Sequence, residues 1–216
     1  MEQTFTISEV VKTSWSYLKQ QIWVLVGLLI GFTILSFLLS SMISPTSITM
    51  TIVGTVVSAL ISCIFYLGYY KNMFQTLDDL EPQFSAYGQQ ASKFLTYFIA
   101  NIILGVSVTI GIMLLIVPGI YLMIRLQFYS CFIVEENAGI IDSLKRSWAL
   151  TEGRAMQLFL LGLVQLAILI VGILLLGIGV LVAAPFVYMI QCYVFRLLNN
   201  PLAIAEEGSQ DVAEQI

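Results

Sequence analysis

The chain has 216 residues, of which 59% are hydrophobic and only 10% are charged. About a quarter of the residues of a soluble domain are charged, so this composition excludes an ordinary water-soluble fold and predicts an all-α polytopic membrane protein. The net charge of −4, with nine lysines and arginines, argues against nucleic acid as a partner, because phosphate backbones bind to basic surfaces. The chain has no histidine, which removes the usual metal ligands of membrane di-iron oxygenases and of most zinc proteases.

The three cysteines give no sign of a metal site or of a disulfide framework. Cys63, Cys131 and Cys192 all lie inside apolar stretches, and their spacing is not that of metal ligands. We therefore interpret them as small buried hydrophobic residues, and we expect the protein to bind no metal ion and no cofactor.

Six apolar runs, taken in chain order, are predicted to cross a membrane. An α-helix rises 1.5 Å per residue, so about 20 apolar residues cover a hydrocarbon core of about 30 Å. The predicted transmembrane helices are Ile22–Ile43, Ile48–Tyr70, Phe94–Val117, Ile120–Val134, Met156–Leu176 and Val180–Leu198. The tight turns that would join them into three hairpins are Ser44-Pro45-Thr46-Ser47, Pro118-Gly119 and Gly177-Ile178-Gly179.

The three turns carry no charged residue, whereas the opposite ends of the spans carry nearly all of the cations. These cations lie in the N-terminal segment, in residues 71–93 and 135–155, and at Arg196. By the positive-inside rule this side is cytoplasmic, which predicts a multi-pass protein of the bacterial inner membrane with both termini in the cytoplasm. We assign residues 1–203 to one membrane domain and residues 204–216 to a short acidic cytoplasmic tail.

Two segments that precede spans predict amphipathic helices on the cytoplasmic side. Before the first span, Trp15 and other apolar residues recur at helical spacing, while Lys12 and Lys19 take the opposite face. Before the fifth span, Trp148 shares a stripe with apolar neighbours and Lys145 lies on the polar side. The residues expected to meet anionic lipid headgroups at this interface are Lys12, Trp15, Lys19, Lys145, Arg146, Trp148 and Arg154.

These two segments also align with each other. The match pairs Val11-Lys12-Thr13-Ser14-Trp15 with Leu144-Lys145-Arg146-Ser147-Trp148, and a weaker third copy begins at Phe84. We hypothesise a repeat of amphipathic helix plus hairpin over residues 7–70, 84–134 and 140–198, closed around a pseudo-threefold axis. The alternative is that no repeat exists, since lysine and tryptophan are common at the inner interface of membrane proteins.

One cation, Arg125, falls inside a predicted span, where a charge is costly unless it is satisfied. No carboxylate lies in any predicted span, so its candidate partners are backbone carbonyls, a tyrosine hydroxyl, an anionic ligand such as a lipid phosphate, or intramembrane amides. Those amides are Asn101, Gln165 and Gln191, which otherwise are expected to form hydrogen bonds between helices. The alternative is that Arg125 snorkels to the outer interface.

Two further groups of residues indicate packing or solvation rather than chemistry. The stripe Gly27-x-x-x-Gly31 would let the two helices of the first hairpin approach each other closely. Glu135 and Glu136 are interpreted as a solvated helix end, because consecutive residues on a helix point in different directions.

The stretch Val117-Pro118-Gly119-Ile120-Tyr121-Leu122, then Arg125-Leu126, then Ser143-Leu144-Lys145-Arg146-Ser147-Trp148-x-x-Thr151-x-Gly153, resembles a known family. It is similar to the membrane domain of glycerophosphoryl diester phosphodiesterases and of related bacterial six-helix membrane proteins, over about residues 115–200. The resemblance implies a multi-pass inner-membrane protein. It does not imply phosphodiesterase activity, because the hydrolase of those enzymes is a separate soluble domain with no counterpart in this sequence.

These observations favour a non-enzymatic membrane protein that binds or organises anionic lipid, a partner protein or a second copy of itself. The sequence contains no nucleophile with a plausible base, no phosphate-binding glycine loop and no cluster of metal ligands, so we expect no enzyme activity. The alternative is a small transporter or channel with a polar path near Arg125. Transport sites usually combine several ionisable groups, and the spans contain one.

Overall fold

The computed structural model describes residues 5–42, 48–175, 177 and 179–199, and all regular structure among them is helical. In chain order the helices are α1 (Ile7–Met42), α2 (Ile48–Leu77), α3 (Ser85–Gln90), α4 (Phe94–Leu114), α5 (Ile116–Leu126), α6 (Tyr129–Glu136), α7 (Ile140–Leu150), α8 (Ala155–Leu174) and α9 (Val180–Asn199). A short 3₁₀ turn, Ala91–Lys93, joins α3 to α4.

Six helical segments among the described residues are long and apolar enough to cross a membrane. They are Ile7–Ser41, Ile48–Leu77, Ser85–Leu114, Ile116–Glu136, Ala155–Leu174 and Val180–Asn199. The prediction of an all-helical chain with six such segments is therefore confirmed, and it agrees with a multi-pass membrane protein.

Six of the helices contact one another in a closed ring. α1 contacts α2, α2 contacts α4, α4 contacts α5, α5 contacts α8, α8 contacts α9, and α9 returns to α1. The order of the helices around the ring is thus their order in the chain. α6 continues beyond α5 and contacts α2, α4 and α7, while α7 also lies against α4 and α5.

The buried core lies at one end of these helices. Tyr69 of α2 and Phe195 of α9 are almost completely buried there. At the other end Ile48, Leu114 and Val117 are between 74% and 81% exposed. Apolar surface of this kind is unfavourable in water but matches the hydrocarbon interior of a bilayer, where lipid tails are as apolar as the side chains.

The chain reverses between α4 and α5 earlier than the sequence suggested. Leu115 is extended, with φ −162° and ψ 142°, and α5 begins at Ile116. The predicted turn at Pro118-Gly119 is therefore wrong. Pro118 lies in the first turn of α5, where its missing N–H costs no intrahelical hydrogen bond, and Gly119 packs against α4.

The predicted span Ile120–Val134 is two helices rather than one. α5 ends at Leu126 and α6 begins at Tyr129. At the break, the Phe128 N–H donates to the hydroxyl of Ser147 at 3.1 Å, so α7 provides an acceptor where the helix is interrupted. No proline or glycine marks this position in the sequence, which is why the break was not predicted.

The remaining boundaries differ less from those predicted. The first amphipathic segment and the first span form one element, α1, broken at Gln21 with φ −124° and ψ 20°. α2 extends past Tyr70 to Leu77. Gly177 has a φ of +76°, which suits a turn, whereas Ile178, the turn at 44–47 and the predicted tail at 204–216 lie outside the described residues.

The close helix contact between α4 and α5 uses a glycine that the sequence analysis had assigned to a turn. A Cβ built on Gly119 would lie 2.8 Å from the backbone nitrogen of Ile112, so a larger residue does not fit without movement of α4. Gly27 and Gly31 have nothing within 4 Å of a Cβ built on them. The expectation that their stripe brings the helices of the first hairpin together is therefore wrong.

Candidate functional site

Arg125 is the one buried cation among the described residues, with only 4% of its surface exposed. It lies at the end of α5, where α7 crosses that helix. Its carbonyl oxygen accepts hydrogen bonds from the hydroxyl of Ser147 at 3.0 Å and from the hydroxyl of Thr151 at 3.1 Å. These bonds fix the backbone of Arg125, whereas its guanidinium has no polar partner among the described residues.

The guanidinium of Arg125 contacts aromatic rings. Its Cζ lies 4.4 Å from the ring centroid of Trp148 and 5.8 Å from that of Tyr121, within the range of cation–π attraction. Its Nε is buried and has no hydrogen-bond partner in the part of the chain that the structure describes. The salt bridges of the described residues do not include this side chain. Arg125 is thus a buried positive charge that no described carboxylate balances.

The polar side chains predicted inside the spans lie at separate places. Gln191 accepts from the hydroxyl of Tyr70 at 3.1 Å and donates to a backbone carbonyl between α5 and α6 at 2.6 Å. Asn101 is exposed and lines a groove of about 270 Å³ beside α2, and Gln165 is half-buried on α8. No hydrogen bond between described residues links any of the three to Arg125.

Three of the predicted interfacial cations are exposed lysines, namely Lys12 and Lys19 on α1 and Lys145 on α7. None forms a salt bridge with a described residue. The tryptophans of the same segments are partly exposed, Trp15 by 37% and Trp148 by 39%. These segments therefore present ammonium groups without a described acidic partner, together with amphipathic rings.

The two arginines predicted at the interface already have partners. Arg146 pairs with Asp142 at 2.8 Å and with Glu136 at 2.7 Å. The hydrogen bond that Arg146 donates to the Asp142 carboxylate raises the pKa of Arg146 further above its ordinary value. Arg154 is half-buried, and its Nη1 donates to the carbonyl of Leu150 at 3.4 Å.

An ionic network at the ends of three helices was missed by the sequence analysis. Arg196 of α9 forms ion pairs with Asp78, just after α2, and at 3.0 Å with Glu135 of α6. Asn199 donates to Glu136 at 2.5 Å. The interpretation of Glu135 and Glu136 as a solvated helix end is therefore wrong, because both carboxylates accept hydrogen bonds from α9. The sequence feature that could have revealed the network is that Arg196, Asp78 and Glu135 all lie at or near span ends on the side predicted to be cytoplasmic.

Replacing Arg196 by glutamine is expected to lower the free energy of unfolding by about 2 kcal/mol, between the values for exposed and for buried ion pairs. The change leaves Asp78 and Glu135 without their shared counter-charge. Thermal unfolding in detergent micelles measures the loss. Arg146→Gln is the matched control, since its exposed ion pairs should matter little, and equal losses in the two variants would contradict this reading of the network.

The part of the chain from α3 onward matches a known family. The chain matches the model of a domain of unknown function, DUF7847, over residues 86–212, which is more than half of the 216 residues. The chain belongs to the DUF7847 family. The DUF7847 match begins in α3 and includes Arg125, Lys145 and Trp148. No curated protein and no solved structure matches the chain.

Proposed function

We propose that this protein is a non-enzymatic membrane module that binds anionic lipid headgroups. The observation that carries the proposal is the set of exposed lysines, Lys12, Lys19 and Lys145, which have no described acidic partner. Each lysine near an anionic leaflet contributes about 1 kcal/mol of attraction. Trp15 and Trp148, in the same two segments, add rings that favour the boundary between headgroups and acyl chains.

The proposed orientation puts these lysines at the inner leaflet of a bacterial inner membrane, with both termini in the cytoplasm. Support comes from the positive-inside rule, because the predicted inner side carries Lys12, Lys145 and Arg196 while the opposite turns carry no charge. The anionic surface of the inner leaflet would then meet the exposed ammonium groups.

The lipid-binding segments belong, in this proposal, to three copies of one unit over residues 7–70, 84–134 and 140–198, each an amphipathic helix followed by a hairpin. When Trp15 is aligned with Trp148, buried positions coincide. The matched buried pairs are Val10 with Ser143, Ser14 with Ser147, Leu18 with Thr151 and Leu25 with Leu158. With Tyr87 aligned to the two tryptophans, the third copy has Ala86, Gln90 and Tyr97 buried in the same register.

Backbone geometry supports the same register. Gln21 has φ −124° and ψ 20°, and Arg154, its counterpart, has φ −113° and ψ 10°. Lys93, the third counterpart, has φ −91° and ψ 0°. In each copy the chain would thus change direction at the same point, between the amphipathic helix and the span. An experimental structure in which residues 7–43 and 140–176 do not superpose would contradict the repeat.

Aromatic contacts between copies also recur. In each case the aligned aromatic residue meets a ring on the second helix of the preceding copy. The ring pairs are Trp15 with Phe186 at 5.1 Å, Tyr87 with Phe65 at 5.6 Å and Trp148 with Tyr121 at 5.9 Å. Together with the closed ring of helices, these contacts support a pseudo-threefold arrangement.

Two other readings of the sequence are weaker. The resemblance to the membrane domain of glycerophosphoryl diester phosphodiesterases supports a membrane-embedded role and no reaction. A transporter or channel draws its support from the unpartnered Arg125, but the described hydrogen bonds do not bring other polar side chains to that residue. A partner protein or a second copy of the chain is a further candidate to bind the exposed apolar surface of the helices.

The lipid composition of the purified protein tests the proposal. After reconstitution in bilayers of equal phosphatidylglycerol and phosphatidylethanolamine and extraction in mild detergent, the protein is expected to retain an excess of phosphatidylglycerol. The triple variant Lys12→Gln, Lys19→Gln, Lys145→Gln should lose most of this excess, because about 3 kcal/mol of headgroup attraction is removed. Arg146→Gln is the matched control and should keep the excess. Equal retention of both lipids by the unaltered protein would contradict the proposal.

A further inference from the structure

Arg125 occupies a buried position at which the three proposed repeats differ in charge. The amphipathic segments contact the rings of Phe65, Tyr121 and Phe186. Four residues after these rings the three copies hold Tyr69, Arg125 and Ile190, and all three side chains are buried. The hydroxyl of Tyr69 donates to the carbonyl of Leu25 at 3.2 Å, and Ile190 has no polar atom to satisfy. Only the second copy places a charge at this point.

The described surroundings of Arg125 compensate only in part for the burial of its side chain. Cation–π attraction to Trp148 and Tyr121 is worth about 0.5–2 kcal/mol, whereas an uncompensated buried charge costs several kcal/mol. Ser147 and Thr151 donate to the carbonyl of Arg125, and their hydroxyls do not reach its guanidinium in the described hydrogen bonds. A guanidinium has only N–H donors, so any oxygen acceptor can satisfy its hydrogen bonds, and an oxygen anion also balances its charge.

We propose that the guanidinium of Arg125 binds the phosphate group of a single anion, with the rings of Trp148 and Tyr121 holding the guanidinium in place. Arginine presents paired N–H donors that match two oxygens of a phosphate or of a carboxylate, and phosphate is the anion that the headgroups of anionic phospholipids carry. The inference deepens the proposed lipid-binding function and rests on it. A lipid headgroup and free phosphate offer the same chemistry.

A groove between α5 and α8 favours the lipid as the source of the phosphate. It has a volume of about 370 Å³ and an almost entirely apolar lining, in which Ile124 and Gln127 precede and follow Arg125 in the chain. Arg125 itself is not part of the lining, so the headgroup would lie at the side of the groove and only the acyl chain inside it. Gly162 of α8 also lines it, and nothing lies within 4 Å of a Cβ built on that glycine. An acyl chain of the bound lipid would lie in this groove, and a leucine at position 162 would displace it without disturbing the core.

Native mass spectrometry of the full chain, released from bilayers that contain phosphatidylglycerol, counts the retained lipid. One tightly held phosphatidylglycerol is expected. Arg125→Gln should lower its occupancy at least about tenfold, because charge-assisted hydrogen bonds are lost, and Arg125→Lys should lower it less. Gly162→Leu should also lower occupancy, whereas Gly105→Leu, at an exposed glycine with open space around it, should not.

A second arm adds inorganic phosphate to the delipidated protein and follows its thermal unfolding. Stabilisation that Arg125→Gln abolishes and Gly162→Leu leaves intact, with no retained lipid, would assign the site to free phosphate. Retained lipid that depends on both residues assigns it to phosphatidylglycerol. Lipid retention unchanged in Arg125→Gln and Arg125→Lys, with no effect of phosphate, would overturn the inference. The triple lysine variant distinguishes the two proposals. If it loses the excess of phosphatidylglycerol but still holds the single lipid, the Arg125 site is separate from the proposed surface binding.

Discussion

Replacing Gly119 by leucine is expected to lower the free energy of unfolding by about 3 kcal/mol, because overpacking of a tight contact forces backbone movement. A Cβ at this position would lie 2.8 Å from the backbone nitrogen of Ile112, and a backbone atom cannot turn aside as a side chain can. The steric strain from the added side chain would push α4 away from α5, and these two helices contact each other closely. Equilibrium unfolding in mixed detergent micelles measures the loss.

The matched control for this change is Gly105→Leu on α4. Gly105 is exposed and has nothing within 4 Å of a Cβ, so the added side chain would meet only lipid or detergent. Its effect should stay within about 0.5 kcal/mol, as for substitutions away from packed features. If the two leucine variants were equally destabilised, the tight contact at Gly119 would not be the cause.

Ser147→Ala is expected to lower the free energy of unfolding by about 1–3 kcal/mol, the cost of leaving buried polar groups unpaired. The Ser147 hydroxyl accepts from the N–H of Phe128 and donates to the carbonyl of Arg125, so it joins α7 to both sides of the break between α5 and α6. Thr151 still reaches the carbonyl of Arg125 in the variant, but the N–H of Phe128 loses its partner. Thermal unfolding and hydrogen exchange at Phe128 report the change.

The proposed repeat supplies the control for Ser147. Ser14 is its counterpart and is equally buried, but its hydroxyl has no hydrogen-bond partner among the described residues. Ser14→Ala removes an unsatisfied polar atom and should therefore leave stability unchanged or raise it slightly. A loss from Ser14→Ala as large as that from Ser147→Ala would show that volume, rather than the hydrogen bonds across the helix break, decides the effect.

The six long helical segments could be predicted from the sequence because apolar length alone determines them. The ends of the fourth segment could not. Its start depends on Leu115, where the chain turns, and Pro118 is as compatible with the first turn of a helix as with a loop. Its interruption depends on a hydrogen bond between Phe128 and Ser147, which are brought together only when α7 packs on α5.

The candidate site was predictable in its residues and not in its contacts. Arg125 stands out as a cation in an apolar run, and Lys145 and Trp148 stand out by helical spacing. Nothing in the sequence places Trp148 over the guanidinium of Arg125, since that contact requires α7 to cross α5. The ion pair between Arg146 and Glu136 likewise depends on tertiary packing. Its ion pairs distinguish Arg146 from Lys12, Lys19 and Lys145, which have no described acidic partner.

Tryptophan quenching by brominated lipids in an intact bilayer tests the central claim most directly. The chain has three tryptophans, and Trp23→Phe leaves Trp15 and Trp148 to report on the lipid beside the proposed interfacial helices. At equal mole fractions, brominated phosphatidylglycerol is expected to quench their fluorescence more strongly than brominated phosphatidylethanolamine, and the difference should shrink when Lys12, Lys19 and Lys145 are neutralised. Equal quenching by the two lipids would contradict the account.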